Sequence, residues 1–359
     1  MLLHVTELNV IALALTVMLV VAVLFVLGRA TSAVTLDLQT DRVVAGTRAV
    51  GRIEVANPSG RSILPTRIEL AVGSAATHFP VPRLAPAGTH EELFAVPTTR
   101  RALLVIGPVR SIRDDPLSLV RRQVTWVREQ DLFVHPRTVR LDGASSGLLR
   151  DLEGTPSAEL YSSDIAFHAL REYTPGDDRR HVHWRTTART GTLMVRQFEE
   201  TRRSHVVVAL GNLAAHYERA EEFELAVSVA ASIAAQTHRE EKELTSFTVD
   251  ARQRTRTHRH LMDDFTLVGQ LENRVPFHAL GQKAAELAPG ASVVMMVIGP
   301  LTTASELNTA AHKLPVGVRA VAIRCAEGAE MRRSAIGGLD VVTVGSLDTL
   351  PRALRAVGR

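Results

Sequence analysis

The feature that most constrains this chain is an uninterrupted apolar segment near its N-terminus, from Leu8 to Leu27. Within it only Asn9 and Thr16 are polar, and no residue is charged. Because a helix rises about 1.5 Å per residue, roughly twenty residues cover a hydrocarbon core about 30 Å thick. A helix also satisfies its own backbone hydrogen bonds, as the interior of a bilayer requires. The segment therefore predicts a transmembrane helix.

Two alternatives to an anchor stay open, a cleaved signal peptide and a helix buried in a protein core. The small residues Thr31, Ser32 and Ala33 could form a cleavage site. However, a signal peptide begins with basic residues and has an apolar stretch of about 7–15 residues. Here only His4 and Glu7 are ionisable before the segment, and the apolar stretch is longer. These differences favour the anchor.

The charges around the segment predict its orientation. Arg29 follows it directly, with Arg42, Arg48 and Arg52 soon after, and neither lysine nor arginine precedes it. The positive-inside rule then predicts a single-pass protein of the cell membrane whose remaining chain is cytoplasmic. A further span upstream would leave that side unchanged. The single cysteine, Cys325, excludes an intramolecular disulfide and suits a reducing compartment.

Composition limits the possibilities for the rest of the chain. About 330 of the 359 residues remain after the anchor, and a stretch of this length predicts two or three domains. Hydrophobic residues at 45% and charged residues at 22% are ordinary for globular domains. The net charge of +4 comes mainly from arginine, because Lys242, Lys283 and Lys313 are the only lysines. Arginine in place of lysine is typical of a GC-rich bacterial genome, so no nucleic-acid partner is expected from the charge.

The stretch from residue 33 to residue 140 predicts a β-rich, sandwich-like middle domain. Arg48–Ala56 and Thr66–Val72 alternate apolar and polar residues toward their ends, and turn residues follow each. Leu103–Ile106 stops at Gly107 and Pro108. Short strands at this spacing are typical of antiparallel sandwiches.

Residues 141–165 are small and polar and predict a linker, whereas residues 166–359 predict an α/β domain with a mainly parallel sheet. Strands that alternate with helices favour a parallel sheet covered on both faces. The candidate strands are Ser204–Leu210, Thr245–Val249, Ser292–Ile298, Arg319–Arg324 and Val341–Val344. The candidate helices are Glu218–Gln236, Leu301–His312 and Leu347–Val357.

The densest run of charged and hydrogen-bonding side chains lies between Arg171 and Glu200. The composition of Thr174–Asp177 predicts a turn, and that of Ala188–Gly191 a second turn before the strand Leu193–Phe198. Arginine side chains could form bidentate pairs that brace this loop, or could bind a phosphate or a partner's carboxylates. The candidate acceptors within the loop are Asp177, Asp178, Glu199 and Glu200.

This run resembles the signature of the bacterial domain-of-unknown-function 58 family. The matching residues, which we take as a partner-binding or structural signature, are Arg171, Glu172, Tyr173, Pro175, Gly176, Asp177, Asp178, Arg179, Trp184, Arg189, Gly191 and Arg196. Upstream, Gly107–Arg110, Asp115–Leu117 and Val134–Arg137 are similar to the segments that precede the signature in that family. The resemblance implies an anchor, a β-rich domain and a von Willebrand factor A-like α/β domain. It also implies a MoxR-type AAA+ ATPase, which is cytosolic, as a partner.

One departure from that pattern concerns metal binding. A von Willebrand factor A domain with a working metal site carries Asp-x-Ser-x-Ser after its first strand. Here Ala209, Gly211 and Leu213 stand at those positions and offer neither a carboxylate nor a hydroxyl. Because magnesium binds oxygen ligands, usually including carboxylates, we expect this metal site to be degenerate and predict no cofactor.

Other residues that could carry chemistry have weaker patterns. His181 and His183 would point to one face of a strand and, with His168 and His205, could be imagined as zinc ligands. Their irregular spacing favours structural histidines instead. Gly143–Gly147 matches the Gly-x-Ser-x-Gly pattern of a nucleophile elbow, but it lies in the predicted linker, so we attribute the match to chance. Cys325 is expected to be a buried core thiol, and no phosphate-binding Gly-x-x-x-x-Gly-Lys motif is present.

Three functions remain as hypotheses. The first is a membrane-anchored, non-enzymatic adaptor that binds a protein partner such as a MoxR-type ATPase. The second is an enzyme for a phosphorylated or cell-envelope substrate, in which Asp177, Asp178 and His183 would converge on a cleft open to solvent. The third is binding of anionic lipid or nucleic acid through arginines, which the interspersed acidic residues disfavour.

Overall fold

The computed structural model describes residues 2–26, 32–114, 117, 119–141, 165–175, 177, 179–200, 204–272, 275–315 and 317–357. Contacts divide the chain into two compact units. Unit 1 consists of Met1–Arg137 together with Met262–Leu267. Unit 2 consists of Thr138–Leu261 and Val268–Arg359. Most of the predicted linker lies outside the described residues.

The apolar segment is helical, as predicted. Helix α1 runs from Leu2 to Val26, and no acidic residue lies in its first turn or basic residue in its last. The predicted end at Leu27 lies outside the described residues. A helix of 25 residues is about 37 Å long, which is enough to cross a hydrocarbon core. By length and composition α1 is able to span a membrane or to serve as a signal sequence.

After α1, the described residues of unit 1 form nine strands in two sheets. In chain order they are β1 (Ala33–Leu38), β2 (Arg42–Val44), β3 (Ala49–Ala56), β4 (Thr66–Val72), β5 (Ala75–Val81), β6 (Thr89–Val96), β7 (Ala102–Asp114), β8 (Arg121–Val127) and β9 (Gln130–His135). One sheet has the order β1-β3-β6. The other has the order β2-β9-β7-β4-β5, with β8 also paired to β7. All these pairings are antiparallel except that of β2 with β9.

The two sheets bury one face each against a shared core, so the predicted sandwich-like arrangement is confirmed. In β3, buried and exposed residues alternate, which points Ile53 and Val55 inward. They belong to the same cluster as Ile68 and Leu70 of the other sheet. A period of two residues places one face of a strand in the core, and this is why the apolar alternation in the sequence indicated the strands correctly.

Unit 2 opens with a two-stranded hairpin and continues into a six-stranded sheet. Its strands are β10 (Ile165–Glu172), β11 (Met194–Glu200), β12 (His205–Leu210), β13 (Glu243–Thr248), β14 (Val293–Ile298), β15 (Arg319–Cys325), β16 (Arg332–Ile336) and β17 (Leu339–Val344). Its helices are α2 (Trp184–Thr190), α3 (Ala220–Arg239), α5 (His278–Leu287), α6 (Ala304–Ala311) and α7 (Leu350–Val357). Helix α4 (His258–Leu267) begins in unit 2, and its last six residues belong to unit 1.

The six-stranded sheet has the order β13-β12-β14-β15-β17-β16, and only β16 runs antiparallel. Every residue of β12 and of β14 is buried, because both faces of the sheet are covered. The predicted mainly parallel α/β fold is therefore confirmed. The order also places a switch between β12 and β14, where successive connections leave in opposite directions.

Candidate functional site

The family-like signature forms a hairpin whose two strands bracket an irregular excursion. Strands β10 and β11 pair antiparallel, with Glu172 opposite Met194. The Tyr173 N–H donates to the Leu193 carbonyl over 2.8 Å and so closes the base of the excursion. Between these residues lie a turn, one turn of 3-10 helix and helix α2. Residues far apart in the signature are thereby brought together; we call residues 171–196 the signature hairpin.

The turn at the start of the excursion is fixed by Asp177. Its carboxylate accepts two hydrogen bonds from the Arg171 guanidinium, over 2.6 and 2.7 Å. It also accepts the Thr174 N–H over 2.9 Å and the Thr174 hydroxyl over 3.1 Å. The Asp177 N–H in turn donates to the Thr174 carbonyl, which completes the predicted turn. The bidentate pair with Arg171, followed by the backbone N–H of Thr174, lowers the pKa of Asp177 well below its usual range.

Arg171 thus braces the hairpin instead of reaching outward. Besides Asp177, its Nη1 donates to the Glu172 carbonyl over 3.1 Å and to the Thr174 hydroxyl over 2.8 Å. The predicted ion-pair bracing is confirmed for this pair. Gly176 and Asp178 lie outside the described residues, and Pro175 is exposed at the tip of the turn.

His181 and His183 do not lie on a strand, so the shared strand face considered for zinc ligands does not form. His181 ends the 3-10 turn Arg179–His181, and His183 caps helix α2. The His183 Nδ1 accepts the Thr186 N–H over 3.3 Å and lies 2.8 Å from the Thr186 hydroxyl. His183 therefore has a structural role, because it satisfies one of the free N–H groups at the start of the helix.

Residues 188–190 belong to helix α2 instead of forming the free-standing turn predicted from Ala188–Gly191. The helix ends at Gly191, whose φ of 76° lies in the left-handed region that favours glycine. Its N–H donates to the Thr187 carbonyl over 2.9 Å, as in a glycine-terminated helix. Local propensity indicates α2 only weakly, because the helix is seven residues long and contains three threonines.

The outer surface of α2 is aromatic and basic. The Trp184 side chain is 68% exposed, although tryptophan is usually largely buried. Arg179, Arg185 and Arg189 are also exposed, and among the described residues none of these three forms an ion pair. Beneath this surface, Val182 is buried and forms a β-bridge to β11. The helix is therefore anchored from below, while its large side chain and its charges face solvent.

The remaining signature residues contribute less to this surface. Glu172 is exposed and Tyr173 is half-buried at the base of the hairpin. Arg196 pairs through its backbone with Leu170, and its side chain lies outside the described part of the structure. Leu193 adds an exposed apolar residue next to β11. Sequence reasoning named Trp184 but gave no reason to expect its exposure, which depends on a helix that was not predicted.

A second place to look for a site is the carboxyl edge of the six-stranded sheet, at its switch point. Ala209 and Leu213 are buried, and the Gly211 N–H donates to the Val297 carbonyl over 2.8 Å. A Cβ at Gly211 would lie 3.1 Å from the Phe277 ring, so this buried ring occupies the space in front of β12. Among the described residues, no three His, Cys, Asp or Glu side chains group as a metal site would require.

Sequence reasoning missed one carboxylate at this edge. Asp250 follows β13 and accepts hydrogen bonds from the Asn212 amide over 2.8 Å and from the Thr248 hydroxyl over 2.7 Å. Burial alone would raise the pKa of Asp250, but these two hydrogen bonds, together with a backbone hydrogen bond of Asp250 and the charge of Lys283, outweigh burial and lower it. Lys283 donates to the Thr248 carbonyl over 2.9 Å and to the Val249 carbonyl over 3.2 Å. These hydrogen bonds tie loops to the end of the sheet.

Two other sequence predictions are confirmed as structural features. His205 is buried, and its Nε2 lies 3.0 Å from the Thr245 hydroxyl. Burial lowers the pKa of its imidazole. Cys325 is fully buried at the end of β15, and this burial raises the pKa of its thiol. His168 has no described side chain, and Gly143–Gly147 lies outside the described residues.

Comparison with known proteins places the signature hairpin and most of the parallel sheet in one family. Residues 169–341 match the family described as "Protein of unknown function DUF58". The chain is also 28% identical over 127 residues to "Uncharacterized protein YeaD" of Bacillus subtilis (strain 168). That similarity covers 35% of this chain and 30% of the relative's length.

Among solved structures, similarity is weak. The CARDB domain of the PF1109 protein from Pyrococcus furiosus matches at 17% identity over 29% of this chain and 86% of its own, with a TM-score of 0.23. Red sea bream transglutaminase matches at 14% identity over 29% of this chain and 15% of its own, with a TM-score of 0.22. These scores are too low to support a functional argument. Residues 169–341 form a DUF58 family domain, and the signature hairpin belongs to it from its first strand onward.

Proposed function

We propose that this protein is a membrane-anchored, non-enzymatic adaptor whose DUF58 domain binds a MoxR-type AAA+ ATPase through the signature hairpin. In this proposal α1 crosses the cell membrane once, and the arginines after it keep both units in the cytoplasm. The observation that carries the proposal is the exposed Trp184, which shares a short helix with two exposed arginines.

The chemistry of this surface suits protein recognition. Tryptophan and arginine are the residues most enriched among those that dominate binding energy at protein interfaces. Trp184 offers a large apolar area, whereas Arg185 and Arg189 offer charges that no described carboxylate neutralises. An acidic surface around an apolar pocket would complement such a patch.

The enzyme hypothesis receives no support from the described residues that it invoked. Asp177 accepts four hydrogen bonds within the hairpin, two from Arg171 and two from Thr174. His183 is engaged with Thr186 at the start of α2. Their hydrogen-bonding capacity serves the fold of the hairpin, whereas a catalytic acid or base needs it for a substrate.

The adaptor proposal is tested by co-purification from membranes of the native host. The full-length protein should retain the MoxR-type ATPase at low salt, and Trp184→Ala should lose it. Arg185→Gln tests the charge on α2, and Arg352→Gln is its matched control. Both arginines lie on helices, and neither forms a described ion pair. Retention by Arg352→Gln and loss by Arg185→Gln are expected. Equal retention by all variants, or absence of the ATPase from the wild-type sample, would count against the proposal.

A further inference from the structure

One end of unit 1 gathers several loops beside the start of β1. Ala33, the first residue of β1, pairs with Ala56 at the end of β3, and Ala56 pairs with Thr89 at the start of β6. The loops 57–65 and 82–88 therefore both lie at the end of the unit where β1 begins. We call this end the α1-proximal end.

The second sheet contributes to the same end. At the start of β4, Thr66 pairs with Val81, and Arg67 pairs with Ile112 near the end of β7. Since β7 and β8 are antiparallel, with Asp114 opposite Arg121, the described residues 117, 119 and 120 between these strands also lie at the α1-proximal end. In contrast, the hairpin between β4 and β5 lies at the opposite end.

Three large apolar side chains are exposed at the α1-proximal end. Leu64 is 65% exposed, Leu117 is 60% exposed and Leu119 is 47% exposed. Exposed apolar residues that cluster on a soluble unit commonly mark a contact with a protein or a membrane.

The backbone around Leu64 is firmly held. The neighbouring Ile63 exchanges backbone hydrogen bonds of 2.8 and 3.1 Å with Leu84. The buried Asn57 side chain donates to the carbonyls of Arg61 over 2.8 Å and Ala85 over 2.9 Å. This clamp joins the loops 57–65 and 82–88. The exposure of Leu64 is therefore imposed by an ordered loop and does not reflect a loose one.

The same end carries exposed arginines. Arg61, Arg67 and Arg83 are exposed, and among the described residues none of the three forms an ion pair. On the outer face of the β1-β3-β6 sheet the situation differs, because Arg52 is paired with Asp37 over 3.1 Å. Arginine around exposed leucine is the composition of a surface that binds anionic lipid, since phosphate attracts the guanidinium and the interface accepts the apolar side chain.

The covalent path brings this end close to the anchor. Helix α1 ends at Val26 and β1 begins at Ala33. Because an extended chain spans at most about 3.6 Å per residue, the two points are no more than about 25 Å apart. If α1 crosses the bilayer, the α1-proximal end is thereby confined near its surface.

We propose that the α1-proximal end of unit 1 docks onto the anionic lipid surface, with Leu64, Leu117 and Leu119 entering the interface and Arg61 and Arg83 binding lipid phosphates. This inference rests on the proposed membrane anchor. Lipid is the partner we propose for this surface, because the anchor already holds the α1-proximal end next to the bilayer. Docking would give the protein a second contact with the membrane and limit the directions in which unit 1 tilts.

The test uses the full-length protein in nanodiscs that contain phosphatidylglycerol or only phosphatidylcholine. An environment-sensitive fluorophore is attached in separate variants at Leu64→Cys and Leu119→Cys, at Leu15→Cys within α1, and at Ser74→Cys in the opposite hairpin. The native Cys325 is buried and should not be labelled. Two nitroxide lipids are used separately: one carries its spin label near the headgroups and quenches fluorophores at the membrane surface, and the other carries it near the end of an acyl chain and quenches fluorophores at the bilayer centre, where position 15 would lie.

With anionic lipid, we expect the labels at positions 64 and 119 to be quenched about threefold more than the label at position 74. In Arg61→Gln/Arg83→Gln, the equilibrium for loop insertion should fall by about fivefold per arginine removed. A quenched label at position 15 with unquenched labels at 64 and 119 would overturn the docking proposal alone. Unquenched labels at all positions would overturn both the anchor and the docking.

Discussion

The substitution Asp263→Asn tests how strongly a buried ion-pair cluster stabilises unit 1. Only 5% of the Asp263 side chain is exposed, and its carboxylate pairs with two basic side chains of the same unit. Arg42 donates from Nε over 2.8 Å and from Nη2 over 2.9 Å, while His135 Nε2 lies 2.8 Å away. Asparagine keeps the size of the side chain but removes the charge, and it turns one acceptor into a donor that faces other donors.

The magnitude can be worked out from burial. Removing one partner of a fully buried pair costs about 3–5 kcal/mol, because the other charge is left without compensation. Arg42 keeps 21% of its side chain exposed and also pairs with the exposed Asp41. Water and Asp41 therefore compensate part of the loss, so we expect about 2–3 kcal/mol. The double variant Arg42→Gln/Asp263→Asn should lose less than the sum of the two single variants.

The assay is urea unfolding monitored by tryptophan fluorescence. The chain has only two tryptophans, so in a Trp184→Phe background the signal comes from Trp126, which lies in unit 1. Asp37→Asn is the matched control, because Asp37 forms an ion pair in the same unit but is 58% exposed. We expect Asp37→Asn to change the free energy of unfolding by less than about 1 kcal/mol.

The pH dependence gives a second test of the same cluster. Burial alone would raise the pKa of Asp263, but hydrogen bonds from Arg42 and His135 outweigh burial and lower it. The stabilisation is therefore present above the unfolded-state pKa of about 3.9 and is lost as pH falls through the lower folded-state value. The difference between wild type and Asp263→Asn should be constant near neutral pH and shrink below about pH 4. If Asp263→Asn and Asp37→Asn lowered the free energy of unfolding equally at neutral pH, the buried cluster would add no more stability than an exposed pair.

Three further predictions concern unit 2. Gly191→Ala should destabilise α2 by about 1–2 kcal/mol, because residue 191 has a positive φ; hydrogen exchange of residues 184–190 measures this, and unchanged protection would contradict it. Phe277→Ala should lower the stability of unit 2 by about 3–5 kcal/mol through a cavity in front of β12, and an unchanged thermal unfolding midpoint would be inconsistent with that packing. Cys325 should resist maleimide at pH 8 until the protein unfolds, since burial raises the pKa of its thiol; rapid labelling of the folded protein would show that the residue is accessible.

The sequence was most informative where burial is regular. The alternation in β3 and β4 indicated strands with one buried face, and the continuous apolar run of β12 indicated a strand buried on both faces. Predicted and observed ends differ by a few residues, as for helix α3, which begins two residues after the predicted Glu218 and ends three after Gln236. Helix ends depend on capping, which periodicity does not report.

The features that could not be predicted depend on contacts between distant residues. Asp263 lies 221 residues from Arg42, so no local pattern indicates their pair. The exposure of Trp184 depends on the short helix α2, whose histidine cap is not a common helix start signal. The pair of Arg171 and Asp177 was accessible from the sequence, because the two residues lie within one turn-forming segment.

The proposed binding of a MoxR-type ATPase to the surface of α2 is tested most directly by measuring the dissociation constant for the full-length protein in nanodiscs. Burying the exposed part of Trp184 is worth about 2–4 kcal/mol by area and by the usual size of interface hot spots. Trp184→Ala should therefore raise the dissociation constant by about 30-fold or more, whereas Arg352→Gln should leave it unchanged. An unchanged dissociation constant for Trp184→Ala, with the wild type binding normally, would contradict the assignment of this interface.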